Sequence, residues 1–571
     1  MAVNVRTLGR TTDRWPKFIF STHFVTMLPT PQGTDNVAAV TTNTLLESDY
    51  FVLKEREGRG RCLVATNPIS QGQQIEGAGG SDSLFQPLVP PVLLQSQRKT
   101  RCAVCFEKLS SPSALRLDND SIYPVYVCSK LCLSRHAWIQ EEHQTIRLAR
   151  QASGRRSTTN KAVPLLSTAI LVYRIVRQLL LEKTQNNPSM FEHQVASMQA
   201  YDGTSAGSVG SNDKKGEDIH CQAIITTVQA LITQWSRLPK QKTHLLDNQT
   251  LQSIVGADAI AQLVSKVKIN AFTVCDGEFQ SLGAALYPTA NFLNHSCRPN
   301  ALQTFLYGQS GRPPRLCVTA CRPIAPGDEI CIAYTDSHCP STHRRRHILE
   351  ENYHFRCRCE ACLAGNGDCA RFGIKCPNCK KGIATAVSAD SEAEGGNDDG
   401  DGDEVRLPSN WECNSCNDRV DVTEACKVIR KWKSDQGDNL AAAERVHATN
   451  KRLLVPSSWY FQESGEKLLQ CLLNELSKPE VSSSEQEFVC KRALAVANDM
   501  VRGYDDASED DASVLREGLL RFKAARLRLF LEADPRRPIV EIQAVLLKLS
   551  RYYPPNHPLV LYLRQSLEAA F

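Results

Sequence analysis

Cysteine spacing constrains this chain more than any other feature. Its 23 cysteines include three close sets: Cys102-x2-Cys105 with Cys128-x3-Cys132, Cys357-x-Cys359-x2-Cys362, and Cys376-x2-Cys379 with Cys413-x2-Cys416. A cysteine share of roughly 4% is too low for a disulfide-stapled miniprotein. Residues 1–30 have neither the apolar core nor the small-residue cleavage site of a secretory signal. A reducing compartment is therefore expected, cytoplasm and/or nucleus, where paired spacings mean metal more often than disulfide. Zinc takes four soft ligands in a tetrahedron. The first set supplies four. The second is one ligand short, and Cys297 is the candidate to complete it. The third reads as a ribbon-type site, with Cys369 as a replacement ligand. About three structural Zn2+ sites follow, all closed and none with the open position that zinc catalysis needs.

At 571 residues and 63.4 kDa the chain exceeds what one core usually organises, so several domains are expected. Lys+Arg 67 against Asp+Glu 62 gives +5, too balanced for nucleic acid as a direct partner. The apolar run Val163–Leu181 is interrupted by Arg174 and Arg177, which argues against a membrane span and for a helix with one buried face. Arg6, Arg10, Arg14 and Lys17 weakly resemble a transit peptide. Strand texture appears at 50–54 and 61–66, and helical periodicity over 160–184 and 221–266, with a polar loop at 185–220. Leu316, Val318 and Ala320 alternate with polar neighbours, as in a half-buried strand, and Ile330–Tyr334 reads as a buried strand. Residues 390–404 carry eight acidic side chains and read as a solvated loop. From 422 onward the pattern is helical.

Four motifs occur in order: Gly58-Arg59-Gly60, Asn294-His295-Ser296-Cys297-x-Pro-Asn300, Gly327-Asp328-Glu329-Ile330 through Ala333-Tyr334, and the Cys357–Cys362 triplet. Together with the cysteine module after the first motif they resemble the SET-and-MYND (SMYD) family of protein-lysine methyltransferases. That resemblance implies a multidomain α+β fold with a β-rich SET core, an inserted MYND-type finger, a helical insertion, a post-SET zinc loop and an all-α tetratricopeptide-like C-terminal domain. The corresponding boundaries are 1–46 lead-in, 47–100 SET N-terminal part, 101–147 finger, 148–254 helical insertion, 255–340 core SET and 341–366 post-SET. A ribbon with an acidic loop at 367–421 and helices at 422–571 complete the chain.

The resemblance also implies S-adenosyl-L-methionine as cofactor and a protein or peptide presenting a lysine as substrate. It places Gly58, Arg59 and Gly60 beside the cofactor, with Asn270, Asn291, Asn294, His295 and Phe355 as further contacts. Tyr334 would be catalytic and Tyr353 would line the lysine channel. Taken singly, Tyr334 and Phe355 are equally core aromatics, His295 a satisfied buried histidine, and Asn270 and Asn291 turn residues. Arg344-Arg345-Arg346 reads as a solvated helix face. The family finger has a second cysteine pair that Ala114–Val127 lacks, and His136 and His143 find no further ligands, so one zinc is expected in a degenerate finger. A second class of function is a non-catalytic adaptor whose finger and helical tail bind partner peptides. No membrane and a monomer complete the expectations.

Overall fold

A computed structural model describes residues 48–75, 84–109, 114–117, 123–153, 163–185, 190–200, 213–239, 241, 243–335, 342–363, 372–386, 410–430, 439–478, 482–505 and 513–569. The expectations for 1–46, the acidic stretch 390–404 and Cys369 lie outside the described residues, as do 186–189 and 201–212; the rest of the polar loop expected at 185–220 is instead largely helical, over Met190–Ser197 and from Asp213 onward.

Short antiparallel sheets form the core. Strands β1 (Phe51–Arg56) and β2 (Gly60–Ala65) make a hairpin, and β3 (Gln74–Ile75) and β4 (Val92–Leu93) follow. The finger contributes β5 (Leu115–Arg116), β6 (Tyr126–Val127), α1 (Lys130–Arg135) and α2 (Trp138–Ser153). Ser129 caps α1, its hydroxyl accepting from Cys132 N at 3.2 Å, so the cap also fixes a cysteine. The insertion then runs through α3 (Val163–Thr184), α4 (Met190–Ser197), α5 (Asp213–Ser236), α6 (Asn248–Val255) and α7 (Ala257–Asn270). The helical stretch expected over 221–266 is thus three helices. Asp247 starts α6 by accepting from Thr250 N at 2.8 Å.

Helix α3 departs from the one-faced expectation. From Ala169 to Val176 every residue is buried, because α5, α6 and α7 pack around it. Arg174 is tolerated there through two 2.7 Å bonds to the Glu142 carboxylate and one of 2.8 Å to the Pro91 carbonyl. A buried guanidinium needs such a partner. No described helix is long and apolar enough to cross a membrane.

The core closes with β7 (Ala271–Cys275), β8 (Ser281–Leu286), β9 (Asn294–His295), β10 (Ala301–Leu306), β11 (Arg315–Ala320) and β12 (Cys331–Ile332). The sheet orders are β4-β8-β7 and β10-β11-β3, and β12 pairs with β9 in parallel. All six residues of β11 are buried, against the expected half-burial. The cause lies far along the chain. The Thr304 and Thr319 hydroxyls donate to the Tyr552 carbonyl at 3.3 and 3.4 Å, and Leu302 and Cys321 share an apolar cluster with C-terminal helices.

Helices α8 (Thr342–Tyr353) and α9 (Glu360–Leu363) flank the cysteine triplet. Strands β13 (Ala384–Ala386) and β14 (Trp411–Cys413) pair beyond it. The C-terminal region is all helix: α10 (Thr423–Arg430), α11 (Leu440–Leu453), α12 (Trp459–Leu476), α13 (Ser483–Asp505), α14 (Val514–Leu531), α15 (Arg536–Leu549) and α16 (Pro558–Glu568). From α11 onward each helix packs on the next.

Candidate functional site

The site forms where β9 and β12 run side by side, Cys331 opposite Asn294 and Ile332 opposite His295. Two short strands cannot hold such a crossing alone, and polar side chains brace it. Asn300 Nδ2 donates to the Glu329 carbonyl at 2.9 Å, and its Oδ1 accepts from Cys331 N at 2.8 Å. The β1–β2 turn adds a clamp. Gly58 and Gly60 adopt φ +68° and +65°, a region that penalises a Cβ, and they present Arg59 between them. Arg59 Nε and Nη2 each donate to the Glu329 carboxylate at 2.9 Å, and the guanidinium lies 3.4 Å from the His295 carbonyl. Asn294 Nδ2 donates to Glu329 Oε1 at 2.8 Å and to the Arg59 carbonyl at 3.0 Å. Glu329 therefore joins three strands. The motif containing it is legible in the sequence; its role as the shared acceptor is not, because the donors lie far from it along the chain.

His295 is buried. Its Nδ1 accepts from Tyr334 N at 3.0 Å and its Nε2 lies 3.2 Å from Cys297 Sγ. Burial pushes the imidazole down to about 4, so it is neutral near pH 7. The Tyr334 hydroxyl donates to the Leu293 carbonyl at 2.7 Å. Burial, and then the neighbouring Tyr353, hold this phenol above its ordinary pKa. The Tyr334 ring lies 4.8 Å from the Tyr353 ring and meets Phe355 edge-on at 6.4 Å. Phe355 also lies 6.2 Å from His295. Between the two aromatics His354 takes φ +58°, a turn that places both rings on the same patch. The result is a half-buried aromatic patch that includes the Tyr334 phenol oxygen and the Leu293 carbonyl it donates to.

Asn270 and Asn291 make their bonds elsewhere. Asn270 Nδ2 donates to the Gln199 and Lys266 carbonyls, both at 2.8 Å. With its amide nitrogen turned toward them, Asn291 donates to the Asn270 and Tyr287 carbonyls at 3.1 Å. The structure thus brings Arg59, Asn294, His295, Tyr334, Tyr353 and Phe355 together. Asn270 and Asn291 instead bond to each other and to the α4 end of the insertion.

Three thiol clusters match the cysteine spacing. Within each of Cys102/105/128/132, Cys297/357/359/362 and Cys376/379/413/416, the sulfurs all lie within 4.8 Å of one another. A tetrahedral zinc with Zn–S near 2.3 Å separates its sulfurs by about 3.8 Å. Representative pairs stand at 3.5 Å (Cys105–Cys128), 3.6 Å (Cys297–Cys362) and 3.8 Å (Cys376–Cys416), so all three sets fit the ion. Cys297 groups with the triplet as expected. Among the described residues the finger offers no second ligand group. His143 Nε2 is 3.2 Å from the Tyr123 carbonyl, while His136 contacts the Gly311 carbonyl and Trp138 Nε1.

The solvated reading of Arg344–Arg346 is overturned. Arg345 is fully buried, its Nη2 donating to Thr342 Oγ1 at 2.7 Å and lying 4.0 Å from Cys362 Sγ. Arg346 donates to the Cys357 and Cys362 carbonyls, each at 3.1 Å. Arg344 stacks 5.7 Å over the Trp459 ring. A tetrathiolate zinc carries net negative charge, which explains why a cation is drawn inside. The sequence shows three arginines on a helix and nothing of the thiolates they face.

Residues 60–335 match the SET domain family model. That match covers just under half of the chain. The similar proteins are SMYD enzymes. The chain is 38% identical to the histone-lysine N-methyltransferase SMYD3 of Homo sapiens over 104 residues, 18% of this chain and 23% of that protein. It is 24% identical to the N-lysine methyltransferase SMYD2-A of Xenopus laevis over 330 residues, 56% of this chain and 62% of that protein. With SMYD2 of Homo sapiens it shares 33% over 118 residues, 21% of this chain and 26% of that protein. The chain therefore spans less than two thirds of the length of each of these relatives. The SET family match, the mixed sheets, the cysteine clusters and the all-helical C-terminal region agree with the expected fold class.

Proposed function

We propose that this protein is an S-adenosylmethionine-dependent protein-lysine N-methyltransferase, acting as a monomer on a histone or non-histone protein in the cytoplasm, the nucleus or both. The observation that carries the reading is the aromatic patch at the β9–β12 crossing, where Tyr334 lies against Tyr353 and Phe355 and its hydroxyl donates to the Leu293 carbonyl. The SMYD relatives, named as lysine methyltransferases, point the same way.

The aromatic patch suits a sulfonium. Carbonyl and phenol oxygens attract polarised methyl C–H groups, and aromatic faces attract positive charge. When bound, the cofactor supplies an activated methyl carrying its own leaving group. The protein then has to orient a neutral amine and exclude water. Arg59, Asn294 and the His295 backbone would hold the cofactor's polar end. Asn270 and Asn291 would shape the wall beside it, and Phe355 would stack on the adenine. Tyr334 is a protonated phenol at neutral pH, so it positions and polarises; it is a poor base. Tyr353 would line the lysine's approach. Zinc in the three thiol clusters would be structural.

Calorimetric titration of the zinc-loaded protein with S-adenosylmethionine tests this. Wild type and Tyr334→Phe are expected to bind, and Asn294→Ala to lose binding. A well-folded wild type that binds nothing sinks the enzyme reading and favours the adaptor.

A further inference from the structure

The cluster of Cys376, Cys379, Cys413 and Cys416 lies outside residues 60–335 and away from the aromatic patch. It consists of two matching knuckles. In each, the residue four places after the first cysteine turns left-handed: Lys380 and Asn417, both at φ +58°. Its N–H donates to the carbonyl of that first cysteine, Lys380 to Cys376 at 3.1 Å and Asn417 to Cys413 at 3.0 Å. Further N–H groups aim at sulfur, Gly382 N at Cys379 Sγ (3.3 Å) and Cys416 N at Cys413 Sγ (3.5 Å). The turn after Cys102 repeats the geometry, with Phe106 at φ +64°. N–H donors directed at sulfur, with all four sulfurs within 4.8 Å of one another, are the surroundings a thiophilic cation takes.

One side of this unit belongs to the C-terminal helices. Phe372, Ile374 and Trp411 share an apolar cluster with Leu454 and Tyr460. Backbone bonds fasten the unit to the turn between α11 and α12. Lys375 N donates to the Leu453 carbonyl at 2.9 Å and Val455 N to the Gly373 carbonyl at 2.8 Å. The Ser458 hydroxyl donates to the Phe372 carbonyl at 2.7 Å. The next residue is Trp459, on which Arg344 of α8 stacks.

We infer that this cluster is a resident site for a thiophilic divalent cation of the zinc class. Its role is to cap the exposed end of the C-terminal helical stack and seat the α11–α12 turn against α8. A helical stack needs a terminal cap, and a metal knuckle supplies one with little apolar mass. The role rests on the proposed reading that the cluster holds an ion.

The test combines metal analysis with hydrogen exchange on the full chain. Wild type is expected to carry one more zinc per chain than Cys413→Ser/Cys416→Ser. That variant is expected to exchange at least tenfold faster across 440–476 and in α8, while β10 and β11 stay protected. Equal metal content in the two proteins overturns the ion reading. A lost zinc with unchanged exchange at 440–476 overturns the capping role alone. Should the double variant fail to fold, Phe372→Ala decides. It leaves every ligand in place and is expected to keep its zinc and yet lose protection across 454–476. Unchanged protection there overturns the cap.

Discussion

Tyr334 and Arg345 show how little a residue's type says about its task. Tyr334 donates a hydrogen bond from its hydroxyl to the Leu293 carbonyl, which orients the phenol oxygen within the aromatic patch. Tyr334→Phe is expected to leave cofactor affinity nearly unchanged and to lower turnover by about 10²-fold, the usual loss for one oriented polar group at a reacting centre. Single-turnover transfer of labelled methyl measures it. Arg345 sits fully buried beside Cys362. Arg345→Met leaves the thiolates without their nearest cation. The affinity of the post-SET cluster for zinc should then fall about 10- to 100-fold, as expected when an outer-shell partner is removed. Competition with a chromophoric chelator gives the value. The sequence exposes neither fact. A tyrosine after a short strand and an arginine triplet on a helix are both ordinary until their neighbours are known.

At the scale of elements, backbone geometry and capping carry the site. The β1–β2 turn holds Arg59 through two left-handed glycines, and a Cβ on Gly60 would meet no atom within 4 Å. The cost of Gly60→Ala is therefore backbone strain alone, about 1 kcal/mol in denaturant unfolding. Cofactor binding should weaken with it as Arg59 loses its aim. Helix α16 is capped by His557, whose Nδ1 accepts from Leu559 N at 3.1 Å. Burial lowers this imidazole from 6.5 to about 3. The unfolded chain takes up a proton near 6.5 that the folded chain refuses. His557 therefore supports stability above that pH, and the support is lost as pH falls toward 3, by up to about 1.4 kcal/mol per unit. His557→Asn keeps a capping side chain without the titration. Its acid unfolding limb should be shallower by up to one proton in urea titrations between pH 6 and about 4. Elements are where the sequence is most readable. The cysteine pairs, the motif order and the C-terminal helices follow from local spacing. The all-round burial of α3 and the double-sided burial of β11 do not, because helices distant in sequence impose both.

Across the whole molecule, one apolar cluster joins β10 and the end of β11 to the last C-terminal helices. Leu302 and Cys321 pack with Val514, Ile542 and Leu549, and Glu278 meets Lys523 at 3.5 Å. Leu549 is fully buried, and Leu549→Ala should cost about 2–5 kcal/mol. The loss is expected to raise hydrogen exchange in β10 and β11 as well as in α15. Protection lost in α15 alone would show that the two regions melt separately.

The parallel pairing of β9 with β12 also bears on how the protein is made. Arg59 and Glu329 are 270 residues apart, and Cys297 meets Cys362 across 65 more. A ribosome that has released the first half of the chain has released only fragments of a pocket. Strand β9, which bears Asn294, is synthesised before the strand leading to Tyr334 that pairs alongside it. The cysteine triplet arrives afterwards and ties off the crossing. On the proposed reading, a growing chain would have nothing with which to grip a methyl donor until the triplet has emerged, and the metal it meets at that moment would hold the crossing closed.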